Sequence, residues 1–104
     1  MTLEFLNPHG TPRFYTHAVL AEGSKVLFIS GQVSMKDGAI VGVGDLETQA
    51  ELAFTNLEAC LEAAGATMAN VTKMTILVVN LRPELRPILH AAYGRPHGRV
   101  TNRG

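Results

Sequence analysis

Cysteine is nearly absent from this sequence. The one cysteine, Cys60, among 104 residues excludes a disulfide within the chain and favours a reducing compartment. No apolar run approaches the roughly 18 residues that a membrane-spanning helix needs. The N-terminus does not carry the basic and then apolar pattern of a secretory signal. We therefore expect a cytoplasmic protein with no membrane partner.

Net charge is also absent. Nine Lys and Arg residues balance nine Asp and Glu residues, so the overall charge does not favour nucleic acid as a partner. The charges are unevenly spread, because residues 82–104 hold five arginines and one glutamate. This basic end is either an RNA-binding segment or a solvated tail, and the neutral total favours the tail.

The clearest predicted element is an amphipathic helix between Asp45 and Gly65. Its less polar residues recur at steps of three and four and form one stripe: Leu46, Ala50, Ala53, Leu57, Leu61 and Ala64. Asp45 can accept backbone N–H bonds at the start of the helix. Gly65 can adopt the left-handed conformation just past its end. Cys60 lies beside the stripe and is interpreted as a small core residue.

Several segments have the composition of strands. Residues 14–20 and 25–30 are predicted to pair as an antiparallel hairpin, with residues 26–29 buried on both faces. Asp37 and Gly38 predict a second hairpin between residues 32–35 and 39–43. Residues 2–6 are a candidate leading strand.

Beyond the long helix, residues 71–79 form the strongest strand pattern, and a strand–helix–strand order predicts that it runs parallel to an earlier strand. A second helix is expected from Arg86 to Tyr93, because Pro87 fits only the first turn of a helix. Gly94 would end that helix.

Together these elements predict an α+β fold, with two helices packed on one face of a mixed sheet. The domain is expected to span residues 1–94, followed by a basic irregular tail over residues 95–104. The other face of the sheet has no predicted cover, which indicates self-association.

Four stretches in this order resemble the Rid family of YjgF-like reactive-intermediate deaminases, also described as L-PSP endoribonucleases or translation inhibitors. The stretches are FYTHAV (14–19), LFISGQ (27–32), NLEACLEAAGA (56–66) and VTKMTILV (71–78). The resemblance implies a chorismate-mutase-like fold, assembled as a homotrimer with its active sites in clefts between subunits. It implies hydrolysis of small enamines and imines with release of ammonia, and no metal or organic cofactor.

The same resemblance implies a set of site residues. Tyr15, Ser30 and Gly31 would line the cleft and bind substrate. Arg99 stands where a family arginine holds the substrate carboxylate, and a guanidinium fork suits that task. Tyr15 and Arg99 are the candidate catalytic residues, and Arg103 is the alternative clamp. The spacing of the histidines predicts no metal site.

The sequence departs from the family pattern after the second helix. Family members continue with two more strands, which carry the arginine and a glutamate that polarises the attacking water. No glutamate follows Glu84 here. Three functions therefore stay open: an enamine/imine deaminase, a non-catalytic trimer that binds small carboxylates or regulates partners, and an endoribonuclease that inhibits translation.

Overall fold

The computed structural model describes residues 2–10, 18–93 and 99–102. Two α-helices lie within these ranges, α1 (Leu46–Ala63) and α2 (Arg86–Tyr93). The strands are β1 (Thr2–Leu6), β2 (Ala18–Glu22), β3 (Met35–Lys36), β4 (Ala39–Ile40), β5 (Thr75–Val78) and β6 (Arg99–Asn102). Short 3₁₀ turns cover Met68–Asn70 and Pro83–Leu85. No helix in the described ranges is long and apolar enough to cross a membrane.

Both ends of α1 are as the sequence predicted. The Asp45 carboxylate accepts bonds from the Thr48 hydroxyl at 2.7 Å and the Thr48 backbone N–H at 3.2 Å. These bonds stabilise the charged form and so lower the pKa of Asp45. The bond from the hydroxyl contributes more than the bond from the N–H. At the other end Gly65 has φ +73°, and the Ala66 N–H donates to the Leu61 carbonyl at 2.9 Å. This backbone pattern ends the helix without a side-chain cap.

The second helix has the predicted bounds and forms the core with α1. Pro83 begins a 3₁₀ turn that leads directly into α2, and Pro87 occupies the first turn of α2. The two helices pack on each other. Leu61 of α1, Leu89 of α2 and Val78 of β5 are the buried apolar residues in the described part of the chain. An eight-residue helix is marginal in isolation, so α2 depends on this packing.

The strands pair as three two-stranded ladders in the described ranges. The ladder of β1 and β2 is antiparallel, with Thr2 opposite Glu22. The predicted pairing of residues 14–20 with 25–30 is therefore wrong for the described part of the first segment. Apolar composition identified a strand here, but partner choice depends on long-range contacts that local composition does not encode.

The hairpin at Asp37 and Gly38 is confirmed in a shorter form. It joins β3 to β4, with Lys36 opposite Ala39, and the Val41 N–H donates to the Ser34 carbonyl at 2.8 Å. Asp37 and Gly38 have φ values of +51° and +79°. Positive φ at both central residues matches the right-handed twist of the flanking strands, which explains the Asp-Gly pair.

The C-terminal ladder corrects two expectations. Among the described strands, β5 runs parallel to β6, which lies later in the chain, and pairs with no earlier strand. Residues 99–102 are thus a strand, where an irregular tail was expected. Backbone N–H and C=O groups can pair whatever side chains they carry, so a polar segment can complete a ladder. The domain boundary at residue 94 stays a prediction, because Gly94 lies outside the described residues.

A further correction concerns residues 26–29, which were expected to be buried on both faces. Among the described residues, residues 25–33 pair in no strand ladder, and Phe28 is 90% exposed and Val26 is 79% exposed. Apolar composition predicts that side chains avoid water but does not identify what covers them. The α+β class itself is confirmed, with two packed helices and strands that pair in both directions.

Candidate functional site

The predicted site residues Ser30 and Gly31 lie on the exposed segment that leads into β3. Both residues are exposed, and the Ser30 carbonyl accepts a bond from the Gln32 side-chain amide at 3.2 Å. A Cβ added at Gly31 would meet no described atom within 4 Å, and Gly31 is not among the residues with positive φ. Neither backbone strain nor described neighbours require glycine there. The bare backbone is open to approach from outside the chain.

The predicted clamp, Arg99, is the first residue of β6. Its register partner on β5 is Thr75. Residues paired across a ladder share a face, and successive residues alternate between faces. Position 99 therefore belongs to the face that carries Thr75 and Leu77, and Leu77 is 57% exposed. Buried Val78 lies on the opposite face, toward the core.

Tyr15 and the alternative clamp Arg103 lie outside the described residues. Ser30 and Gly31 are adjacent in the chain, while the approach of Tyr15 and Arg99 to them stays a prediction. Among the described residues, no three His, Cys, Asp or Glu side chains are grouped as a metal ion would require.

Asn56 lies near this segment, and no role was predicted for it from the sequence. Its side-chain amide nitrogen donates to the Val33 carbonyl and to the Met35 carbonyl, both at 2.9 Å. These bonds connect α1 to the segment that follows Gly31. Asparagine is a poor residue for a helix interior, and Asn56 is the one asparagine within α1. The presence of an asparagine inside α1 was the signal in the sequence that could have indicated a role for Asn56.

The loop before α1 is fixed to the same helix. The Gly42 carbonyl accepts the Gln49 side-chain amide at 2.8 Å and the Asp45 backbone N–H at 2.9 Å. Gly42 has φ +78°, and a Cβ there would come within 2.8 Å of the Thr48 methyl carbon. Both the conformation and the space therefore require glycine.

A shallow groove of about 250 Å³ lies at the C-terminal end of α1. Its lining is Glu58, Leu61, Glu62, Ala66, Thr67 and Met68. The two charged residues in this lining are glutamates, which repel carboxylates. The groove is therefore a poor site for a substrate that carries a carboxylate.

Comparison with known proteins identifies the family. The sequence profile described as endoribonuclease L-PSP matches residues 9–100. The chain belongs to this family, which is also called the Rid family. The match confirms the resemblance carried by the four sequence stretches, and it extends through Arg99.

Individual relatives agree with this assignment. A Rid-family protein of unknown function, YyfB from Yersinia pestis, superposes with a TM-score of 0.85 at 29% identity, covering 98% of this chain and 85% of YyfB. The RutC family protein slr0709 of Synechocystis is 36% identical over 89 residues, 84% of this chain and 65% of that protein.

A third relative, from Dermatophagoides farinae, is a 2-iminobutanoate/2-iminopropanoate deaminase. It is 30% identical over 86 residues, 79% of this chain and 65% of the relative. The chain thus spans just under two thirds of the length of both curated relatives.

Proposed function

We propose that this Rid-family chain hydrolyses small enamines and imines that carry a carboxylate, giving 2-oxo acids and ammonia. The observation that carries the proposal is the family match over residues 9–100, which includes positions 15, 30, 31 and 99. Relatives named as 2-iminobutanoate/2-iminopropanoate deaminases support the substrate class.

The reaction needs a held substrate and a placed water molecule. An enamine such as 2-aminoacrylate takes a proton at its terminal carbon and becomes the imine. Water then adds to the imine carbon, and the C–N bond of the resulting carbinolamine breaks. The products are pyruvate and ammonia. Holding the carboxylate in one orientation presents the imine carbon to water and removes the entropic cost of that alignment.

In this proposal the Arg99 guanidinium binds the substrate carboxylate. Its two parallel N–H groups match the two carboxylate oxygens, and its charge does not depend on pH in the working range. Tyr15 and the open backbone at Ser30 and Gly31 form the rest of the cleft. Exposure of Gly31, where an added Cβ meets no described atom within 4 Å, supports close approach of a ligand there.

The cleft is proposed to lie between subunits of a homotrimer. Position 99 belongs to the sheet face that carries exposed Leu77, and Val26 and Phe28 are exposed on the segment that leads to Gly31. Soluble proteins rarely leave large contiguous apolar surface in water, so these side chains favour cover by another copy. A second copy that covers them would enclose the substrate and strengthen the Arg99–carboxylate attraction by excluding water.

The decisive experiment measures ammonia release from freshly generated 2-aminoacrylate by wild type, Arg99→Lys and Arg103→Ala. Lysine keeps the charge but loses the fork, and one charge-assisted hydrogen bond contributes about 1.5–3 kcal/mol. We therefore expect Arg99→Lys to lower kcat/KM by about tenfold or more. Arg103→Ala is the matched control and should have little effect.

Each contrary result has a distinct meaning. A loss in Arg103→Ala with none in Arg99→Lys would assign the clamp to Arg103. A wild-type protein that releases no ammonia would refute the deaminase proposal. Titration calorimetry with pyruvate or 2-oxobutyrate then separates the remaining alternatives, because binding without turnover identifies a carboxylate-binding family member.

A further inference from the structure

The side chain of Asn56 joins two parts of the chain that are far apart in sequence. One amide nitrogen donates to the carbonyls of Val33 and Met35, which lie 23 and 21 residues earlier. By contrast, the side-chain bonds given above for Gln32, Thr48 and Gln49 span seven residues or fewer. Asn56 therefore fixes a tertiary relation, whereas those bonds shape local turns.

The anchored carbonyls lie at the end of a segment with little support of its own. Residues 25–33 pair in no ladder with another described segment, and residues 30 and 31 are exposed. Ser34, between the two anchored carbonyls, is buried, and its own carbonyl accepts the Val41 N–H. The Asn56 amide thus holds the segment where it turns from the exposed stretch into β3. That anchor lies two residues after Gly31.

We propose that Asn56 is a positioning residue for the backbone of Ser30 and Gly31. This inference rests on the proposed function, because it assigns those two residues to the substrate cleft. Helix α1 acts as the rigid support, and the Asn56 amide sets the distance between the segment and this helix. Without the amide the Val33 carbonyl keeps only the local bond from the Met35 backbone N–H, at 2.8 Å. Both bonds from Asn56 to the segment are lost, and the segment can move relative to α1.

Three variants test the proposal. Asn56→Asp keeps the shape of the side chain but places a carboxylate against two carbonyl oxygens, so it should displace the segment most. Asn56→Ala removes both bonds without adding charge, and it keeps the test informative should Asn56→Asp fail to fold. Thr55→Ala is the matched control, because the Thr55 hydroxyl bonds to the Glu51 carbonyl within α1.

Two readouts are needed for each folded variant. The first is the amide spectrum of ¹⁵N-labelled protein, followed at Ser30 and Gly31. We expect both amides to shift in Asn56→Ala and Asn56→Asp and to stay near the wild-type positions in Thr55→Ala. In Asn56→Asp they should move back as the pH falls toward 4, because the protonated carboxyl regains one donor.

The second readout is kcat/KM for 2-aminoacrylate. A displacement of about 1 Å at a site can cost on the order of a hundredfold, so we expect Asn56→Ala to lose tenfold or more. Unmoved Ser30 and Gly31 amides, or a loss of kcat/KM no greater than that of Thr55→Ala, would overturn the proposal. An inactive wild type would refute the proposed function alone, and the amide spectra would still decide whether Asn56 positions the segment.

Discussion

Leu89→Ala is expected to be strongly destabilising, because Leu89 is the buried residue through which α2 joins the core. Its side chain is 2% exposed. The substitution removes about three carbon groups from the core, or roughly 2.4 kcal/mol at about 0.8 kcal/mol per group, before any cavity cost. Measured truncations of this kind cost about 2–5 kcal/mol.

That loss is large relative to the free energy of unfolding of the whole domain. A domain of this size is stable by about 5–15 kcal/mol. Because α2 has eight residues, it cannot persist as a helix once its packing is weakened. We therefore expect hydrogen exchange to rise across the amides of α2 together, rather than at position 89 alone.

The assay is equilibrium unfolding in urea, followed by far-ultraviolet circular dichroism at fixed protein concentration. Glu84→Ala is the surface control, on the turn just before α2. Its ion pair with Arg82, at 3.0 Å, is exposed on both sides. Exposed pairs contribute about 0–1 kcal/mol. Equal midpoint shifts for the two variants, with unchanged denaturant dependence, would refute the assignment of Leu89 to the core.

Three other perturbations address the loop before α1, its cap and the exposed segment. Gly42→Ala should destabilise more than Gly44→Ala: both glycines have positive φ, at a cost of about 1–2 kcal/mol each, but only Gly42 would also place a Cβ against Thr48. Urea midpoints compare them, and equal losses would contradict the predicted clash. The lowered pKa of Asp45 adds stability above its unfolded value of 3.8, which is lost as pH falls through the folded pKa. Asp45→Asn should therefore differ from wild type at pH 7 but progressively less below pH 3.8, and a pH-independent gap would argue against this. Phe28→Ser should shift sedimentation toward monomer while the circular dichroism spectrum stays unchanged, and an unaltered assembly would exclude Phe28 from the interface.

Local signals in the sequence were sufficient to predict where the helices begin and end. Asp45 and Gly65 marked the ends of α1, and Pro87 placed the start of α2. These features act within one or two turns of backbone, so they can be predicted from the neighbouring residues in the sequence. The Asp37-Gly38 hairpin was predictable for the same reason.

Strand partners were not predictable in this way. The pairing of β1 with β2 and of β5 with β6 joins segments separated by many residues, and each could pair with several others of similar composition. The exposure of Val26, Leu27 and Phe28 was not predictable either, because apolar composition does not identify what covers a side chain. For the site, the sequence proposed Ser30, Gly31 and Arg99 through family resemblance. It could not assign a role to Asn56, because its partners are backbone carbonyls, which every sequence provides.

The apolar run at residues 26–29, in which residues 26–28 are exposed, also bears on how this protein is handled. Val-Leu-Phe-Ile is rich in β-forming residues, carries no charge and contains no proline, which is the composition of aggregation-prone segments. Lys25 flanks it as a charged gatekeeper on one side only, since Ser30 follows on the other. Its backbone pairs in no ladder among the described residues, which leaves it open to pairing with other copies. Losses during refolding should therefore take the form of precipitation, and a charged substitution at Phe28 should suppress them.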